Sequence, residues 1–132
     1  MIINISKNDV AKYLCKIKES LSNKQFNIDE DFILIKNKKE DEEFSTPYTL
    51  LDLDYDAYDV VNHLKALDVS DFSEIKLDED DPNPPLLYVF GKEINGREIY
   101  IKIKLREFDD SNQVICVSFH YSKWRMNYPF KE

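Results

Sequence analysis

Residues able to move protons or hold phosphate charge gather in two β-rich runs near the end of the chain. REIYIKIKLRE carries Tyr100 and Lys102, and QVICVSFHYS finishes its apolar stretch on His120. Side chains alternate along a strand, so the first run sends Ile99, Ile101, Ile103 and Leu105 to one side and Tyr100, Lys102, Lys104 and Arg106 to the other. The same count splits the second run into Ile115, Val117 and Phe119 against Cys116, Ser118 and His120. If the aliphatic sets share a core under packed helices, His120 shares a face with Tyr100 and Lys102. That face holds a phenol, two lysines, an arginine, a hydroxyl and an imidazole, with no carboxylate at its seven positions. Such a set suits phosphodiester chemistry without a metal: an imidazole exchanges protons near neutral pH, and Lys and Arg stabilise charge building on phosphate oxygens. Basic residues also decorate ordinary solvated sheets, so the pattern alone leaves a plain polar face open.

The elements that must position these residues are legible in outline. LLYVFGKEI and REIYIKIKLRE flank Asn95-Gly96, a strong short hairpin signal, and the polar FDDSN turn leads into the third run. Residues 86–121 therefore read as an antiparallel meander. Upstream, Ser6 caps an amphipathic helix whose inward face is Val10, Leu14, Ile17 and Leu21, with Asp9 placed well for the helix dipole. FILI predicts a short strand near 32–36, and KNKKEDEEFSTP has no apolar period and reads as an exposed loop. DAYDVVNHLKAL predicts a second helix starting near Asp54 or Asp56, with Val60, Leu64 and Leu67 inward and His63 beside them as a structural or surface histidine. LDEDDPNPP (77–85) breaks any regular element and reads as a solvated acidic, Pro-rich linker. It lacks the spaced ligands and glycine of a calcium loop, and no metal site is expected elsewhere.

These parts sum to one α+β domain over 1–132. Residues 1–76 are mainly helical and acidic, and the helices pack on a mainly antiparallel sheet of three to four strands. The charge is uneven: residues 1–82 hold 10 Lys/Arg and 20 Asp/Glu, whereas 83–132 hold 8 and 6, within a chain of net charge -8. An acidic protein cannot hold nucleic acid by bulk charge, so such a role needs a local basic patch. No apolar run approaches the ~20 residues of a membrane span, and MIINISKND lacks the pattern of a secretory leader, which predicts a soluble, cytoplasmic protein. Cys15 and Cys116 form no metal or disulfide framework and are expected as core thiols. The tail, 122–132, is basic and aromatic. Tyr121, Trp124, Tyr128 and Phe130, interleaved with Lys123 and Arg125, either stack bases and hold phosphates or fold back over the sheet edge.

The fragments DFSE, LYVFGKEINGREIYIKIKL, VICVSFH and MNYPF, in this order and spacing, resemble the MqsR (motility quorum-sensing regulator) family of type II toxins, particularly its Gram-positive-like branch. The likeness covers roughly residues 50–130 and, more faintly, the N-terminal helix and FILIKNKK. It implies a RelE-like fold, cleavage of messenger RNA without a cofactor, and a cognate antitoxin protein as partner. By position, the family's strand tyrosine is Tyr100 and the lysine two residues on is Lys102. His120 stands where the best-known members carry a lysine, and Glu74 replaces a lysine after the "DF" pair, with Lys76 close by. The resemblance thus implies catalysis by His120, Tyr100 and Lys102, with Lys92, Lys104, Arg106, Lys123 and Arg125 as candidate RNA contacts. A non-catalytic interaction module on the same fold is the alternative.

Overall fold

The Ser6 hydroxyl accepts a hydrogen bond from the Asp9 amide, and the Asp9 carboxylate accepts one back from the Ser6 amide. This reciprocal box satisfies two amides that a helix start leaves without partners, and it opens α1 (Lys7–Ser22), whose buried face is Val10, Leu14, Ile17 and Leu21. The computed structural model describes residues 4–36 and 42–132, so part of the loop expected in KNKKEDEEFSTP lies outside the described residues. After α1 come α2 (Ile28–Asp31), β1 (Phe32–Leu34), a 3-10 turn (Glu42–Phe44), α3 (Thr46–Leu53) and α4 (Ala57–Lys65). A second 3-10 turn (Val69–Asp71) then leads into β2 (Phe72–Leu77), β3 (Leu86–Ile94), β4 (Arg97–Glu107) and β5 (Asn112–Tyr121).

The fold is α+β, with the four helices in the N-terminal half against a sheet ordered β1-β5-β4-β3-β2. Among the described residues five strands, rather than three to four, make the sheet, and it is mixed because β1 runs parallel to β5. The extra strand is β2, which arises from FSEIKL inside the part expected to be mainly helical and pairs antiparallel with β3. Helices α1 and α4 and the apolar side of β3, β4 and β5 close one core around Ile17, Leu64, Phe90, Ile101 and Phe119. Among the described residues, no helix is long and apolar enough to cross a membrane. Cys116 is buried, as expected; Cys15 is exposed, because it lies off the apolar stripe of α1.

Two local devices fix the end of β5. β1 pairs with β5 only over Val114, Ile115 and Cys116. Beyond that point α3 takes over: the Thr46 and Thr49 hydroxyls accept from the amides of Phe119 and Tyr121 at 3.1 and 3.0 Å. This helix was not expected from sequence, although Ser45 caps it and Pro47 stands in its first turn, where a missing amide proton costs nothing. The second device is a β-bulge. Lys102 pairs with Ser118 but Ile103 pairs with Cys116, so Val117 is an extra residue on β5. The bulge corrects the expected alternation. Val114 and Cys116 join the core, whereas Ile115 and Val117 turn to the polar side. Phe119 and His120, past the bulge, keep the expected sides.

Candidate active site

Tyr100 of β4 and His120 of β5 are directly paired in register, and their rings stack with centroids 5.1 Å apart and planes 14° apart. Lys102, one pleat along β4, brings its ammonium 6.0 Å from the Tyr100 ring centroid, and Lys76 of β2 comes to 5.8 Å. Both lysines thus sit at cation-π range of one phenol. The His120 Nδ1 lies 2.9 Å from the Tyr121 carbonyl oxygen. A carbonyl only accepts, so Nδ1 carries the proton and Nε2 is where the imidazole takes up or gives a second one. Sequence reasoning brought His120, Tyr100 and Lys102 to one face, and the structure places them together.

These side chains lie along a cleft of about 770 Å³. Ile115 and Val117, turned inward by the bulge, add an apolar strip beside Ser118. The 78–85 connection forms one wall. Expected as a solvated linker, it instead folds onto the sheet: the Asp78 amide donates to the Pro85 carbonyl, and Lys104 reaches up into it. The Lys104 ammonium lies 2.6 Å from Asp78 Oδ2, 3.3 Å from Asp81 Oδ2 and 2.9 Å from the Asp81 carbonyl, and its side chain is only 3% exposed. Burial works to raise the Asp78 carboxyl's pKa, but the hydrogen bonds from Lys104 and the Asp81 and Asp80 amides outweigh it and hold the group below the ordinary range. The Arg106 guanidinium pairs with Asp81 and reaches the Asn83 carbonyl at 3.4 Å. Lys104 and Arg106, candidates for holding RNA, are therefore structural cations that build the cleft wall.

Lys92 departs further from expectation. It lies across from Ile99 on the helix side of the sheet, with its ammonium 3.3 Å from Asp71 Oδ2, and does not line the cleft. His63, on the same side, stacks on Tyr55 and hydrogen-bonds its hydroxyl at 3.0 Å, which is the structural role expected of it.

The tail has two halves. Its end is a strap over the sheet: the Tyr128 hydroxyl donates to Glu98 of β4 at 2.5 Å, Tyr128 and Met126 cover Gly91 of β3, and Phe130 stacks on Phe72 of β2 with centroids 5.5 Å apart. Its beginning lines the cleft, where Lys123, Trp124 and Arg125 are all exposed. Residue types alone did not single out Glu98 or Gly91. Lys76 follows only from the resemblance, although the polar-apolar alternation Glu74, Ile75, Lys76, Leu77 in FSEIKL carries a strand signal. No known protein family, curated protein or solved structure matches the chain.

Proposed function

We propose that the protein is a metal-independent endoribonuclease that cleaves messenger RNA, acting in the cytoplasm as the toxin of a type II toxin-antitoxin pair. The observation that carries this reading is the His120–Tyr100 stack, with the Lys102 and Lys76 ammonium groups around it in a cleft. In the proposed reaction, His120 Nε2 takes the proton from a ribose 2'-hydroxyl as that oxygen attacks the adjacent phosphorus. The bond from phosphorus to the 5'-oxygen breaks, the Tyr100 hydroxyl protonates the departing oxygen, and a 2',3'-cyclic phosphate remains. Lys102 stabilises charge on the nonbridging oxygens, and Lys76 supplies the cation that Glu74 does not. Inducible expression of the wild type and of His120→Ala in a bacterial host tests the reading by growth and by mapped RNA ends. Arrest with new ends is expected for the wild type alone; new ends persisting in the variant, or none in either with folded protein present, overturn it.

A second reading rests on the commitment of Lys104 and Arg106 to the acidic loop in a chain of net charge -8. Here the fold is a non-catalytic protein-interaction module. RNA affinity that is weak and scarcely changes with salt favours it, because phosphate contacts make binding fall steeply as salt rises.

A further inference from the structure

Residues 123–125 form a short projection with both feet on Glu98. At one foot the Ser122 amide donates to the Glu98 carbonyl at 2.9 Å, and at the other the Met126 amide donates to Glu98 Oε1 at 3.0 Å. The Ser122 hydroxyl then donates to the Trp124 carbonyl at 2.5 Å, which fixes the backbone between them. Held in this way, Trp124 is 81% exposed and lines the same cleft as His120, Tyr100 and Lys102.

A single exposed tryptophan is unremarkable on its own. What distinguishes this one is that the tail's other aromatics are occupied. Tyr121 lies under the Arg97 guanidinium and donates to Asp52, Tyr128 is held by Glu98, and Phe130 stacks on Phe72. Trp124 has no ring contact among the described residues, and its chain neighbours on both sides are the cations Lys123 and Arg125. A flat apolar ring between two positive charges matches a nucleotide, in which a π-face alternates with phosphates. A protein ligand would have no need of that alternation.

We infer that Trp124 is a base-stacking platform for a nucleotide next to the scissile phosphate, with Lys123 and Arg125 holding the flanking phosphates. The inference rests on the ribonuclease reading and adds a subsite to it. Stacking on an indole accepts any base, so the platform positions the strand and contributes little sequence preference.

Trp124 is the only tryptophan of the chain, so its fluorescence reports this one ring. The probes are a short 2'-O-methyl RNA, which lacks the attacking hydroxyl and survives, and an abasic strand with the same number of phosphates. The base-bearing strand should quench the fluorescence saturably and the abasic strand should not. By anisotropy of labelled strands, Trp124→Ala should bind the base-bearing strand on the order of 10-fold more weakly and the abasic strand unchanged, with Trp124→Phe recovering part of the loss. Binding without quenching, or equal affinity in Trp124→Ala, overturns the platform. If ordinary RNA is still cleaved in that case, the ribonuclease reading survives alone. Quenching by bases without cleavage removes the ribonuclease and, with it, the placing of the platform beside a scissile phosphate, and leaves base stacking on Trp124 alone; no binding of either strand overturns both.

Discussion

His120 and Tyr100 have different jobs in the proposed reaction, and the stack allows them to be separated. Tyr100→Phe keeps a ring against the imidazole and removes only the hydroxyl. It should lower kcat by about 10^2-fold, and His120→Ala by about 10^2- to 10^4-fold, with both variants melting near the wild-type temperature, because neither side chain belongs to the core cluster. Full activity in Tyr100→Phe, measured on a defined RNA, would assign the leaving-group proton to another donor. Tyr100 and His120 were legible in sequence because their pairing lies on the far side of the bulge from Cys116, where an unbroken alternation still counts correctly. Lys104 was not. It sits on the same face by that count, and nothing in KIKLRE says that Asp78 and Asp81, 26 and 23 residues earlier, fold over it. A buried lysine and an exposed one look identical in sequence until the partner carboxylates are placed.

At the level of elements, the strap depends on a glycine whose backbone does not need one. Gly96 in the hairpin turn has φ +82, a conformation suited to glycine, whereas Gly91 lies within a regular strand. What Gly91 provides is space: a Cβ there would strike the Tyr128 hydroxyl, pass 2.8 Å from Tyr128 Cε1 and reach 2.9 Å from Met126 Sδ. Gly91→Ala should therefore push the strap off β3 and destabilise the fold by about 1–3 kcal/mol in urea denaturation. In a Tyr128→Ala background the same change should cost much less, since the main obstacle is gone; equal costs in both backgrounds would show that the strap is not what Gly91 accommodates. The sequence offered two fates for the tail, base stacking or edge cover; its end, Met126 to Phe130, covers the sheet, and its start lies exposed along the cleft. The division comes from Glu98, which sits on the polar side of β4 near its start and can hold both Met126 and Tyr128. Helices α1 and α4 and the meander were legible because capping boxes, an apolar stripe and Asn-Gly act locally. α3's threonine bonds were not, because their partners on β5 lie 73 and 72 residues on, and the bulge was not, because Val117 is an ordinary strand residue whose displacement shows only in the pairing with β4.

For the whole molecule, one group that couples folding to pH, His63, lies across the sheet from those proposed to cleave RNA, and another, Asp78, lies in the cleft wall. Burial lowers the pKa of His63 beneath 6.5, helped by Lys92 and opposed by Asp59. A depressed pKa means that the unfolded chain binds the proton first, so this contribution to stability is complete above the unfolded value and is lost as pH falls through the region near and below 6.5. Asp78, held below its ordinary 3.8 despite its burial, follows the same sign in a lower window: its contribution is complete above that value and is lost as pH drops past it. Neutralising Asp78 also leaves the Lys104 ammonium short of its closest partner. Urea midpoints measured across pH should therefore be flat above about pH 7, decline once as pH falls below about 6.5 and again below about pH 4. His63→Gln should remove the first decline, and Asp78→Asn should reduce the second, to which Asp9 and Asp81, also held below 3.8, contribute. His63 packs between Tyr55 and Phe119 on the helix side of the sheet, so His63→Gln should leave RNA cleavage and its pH dependence unchanged. A shift of the cleavage profile in that variant would mean that the sheet transmits charge from one face to the other, and the assignment of the general base to His120 would have to be abandoned.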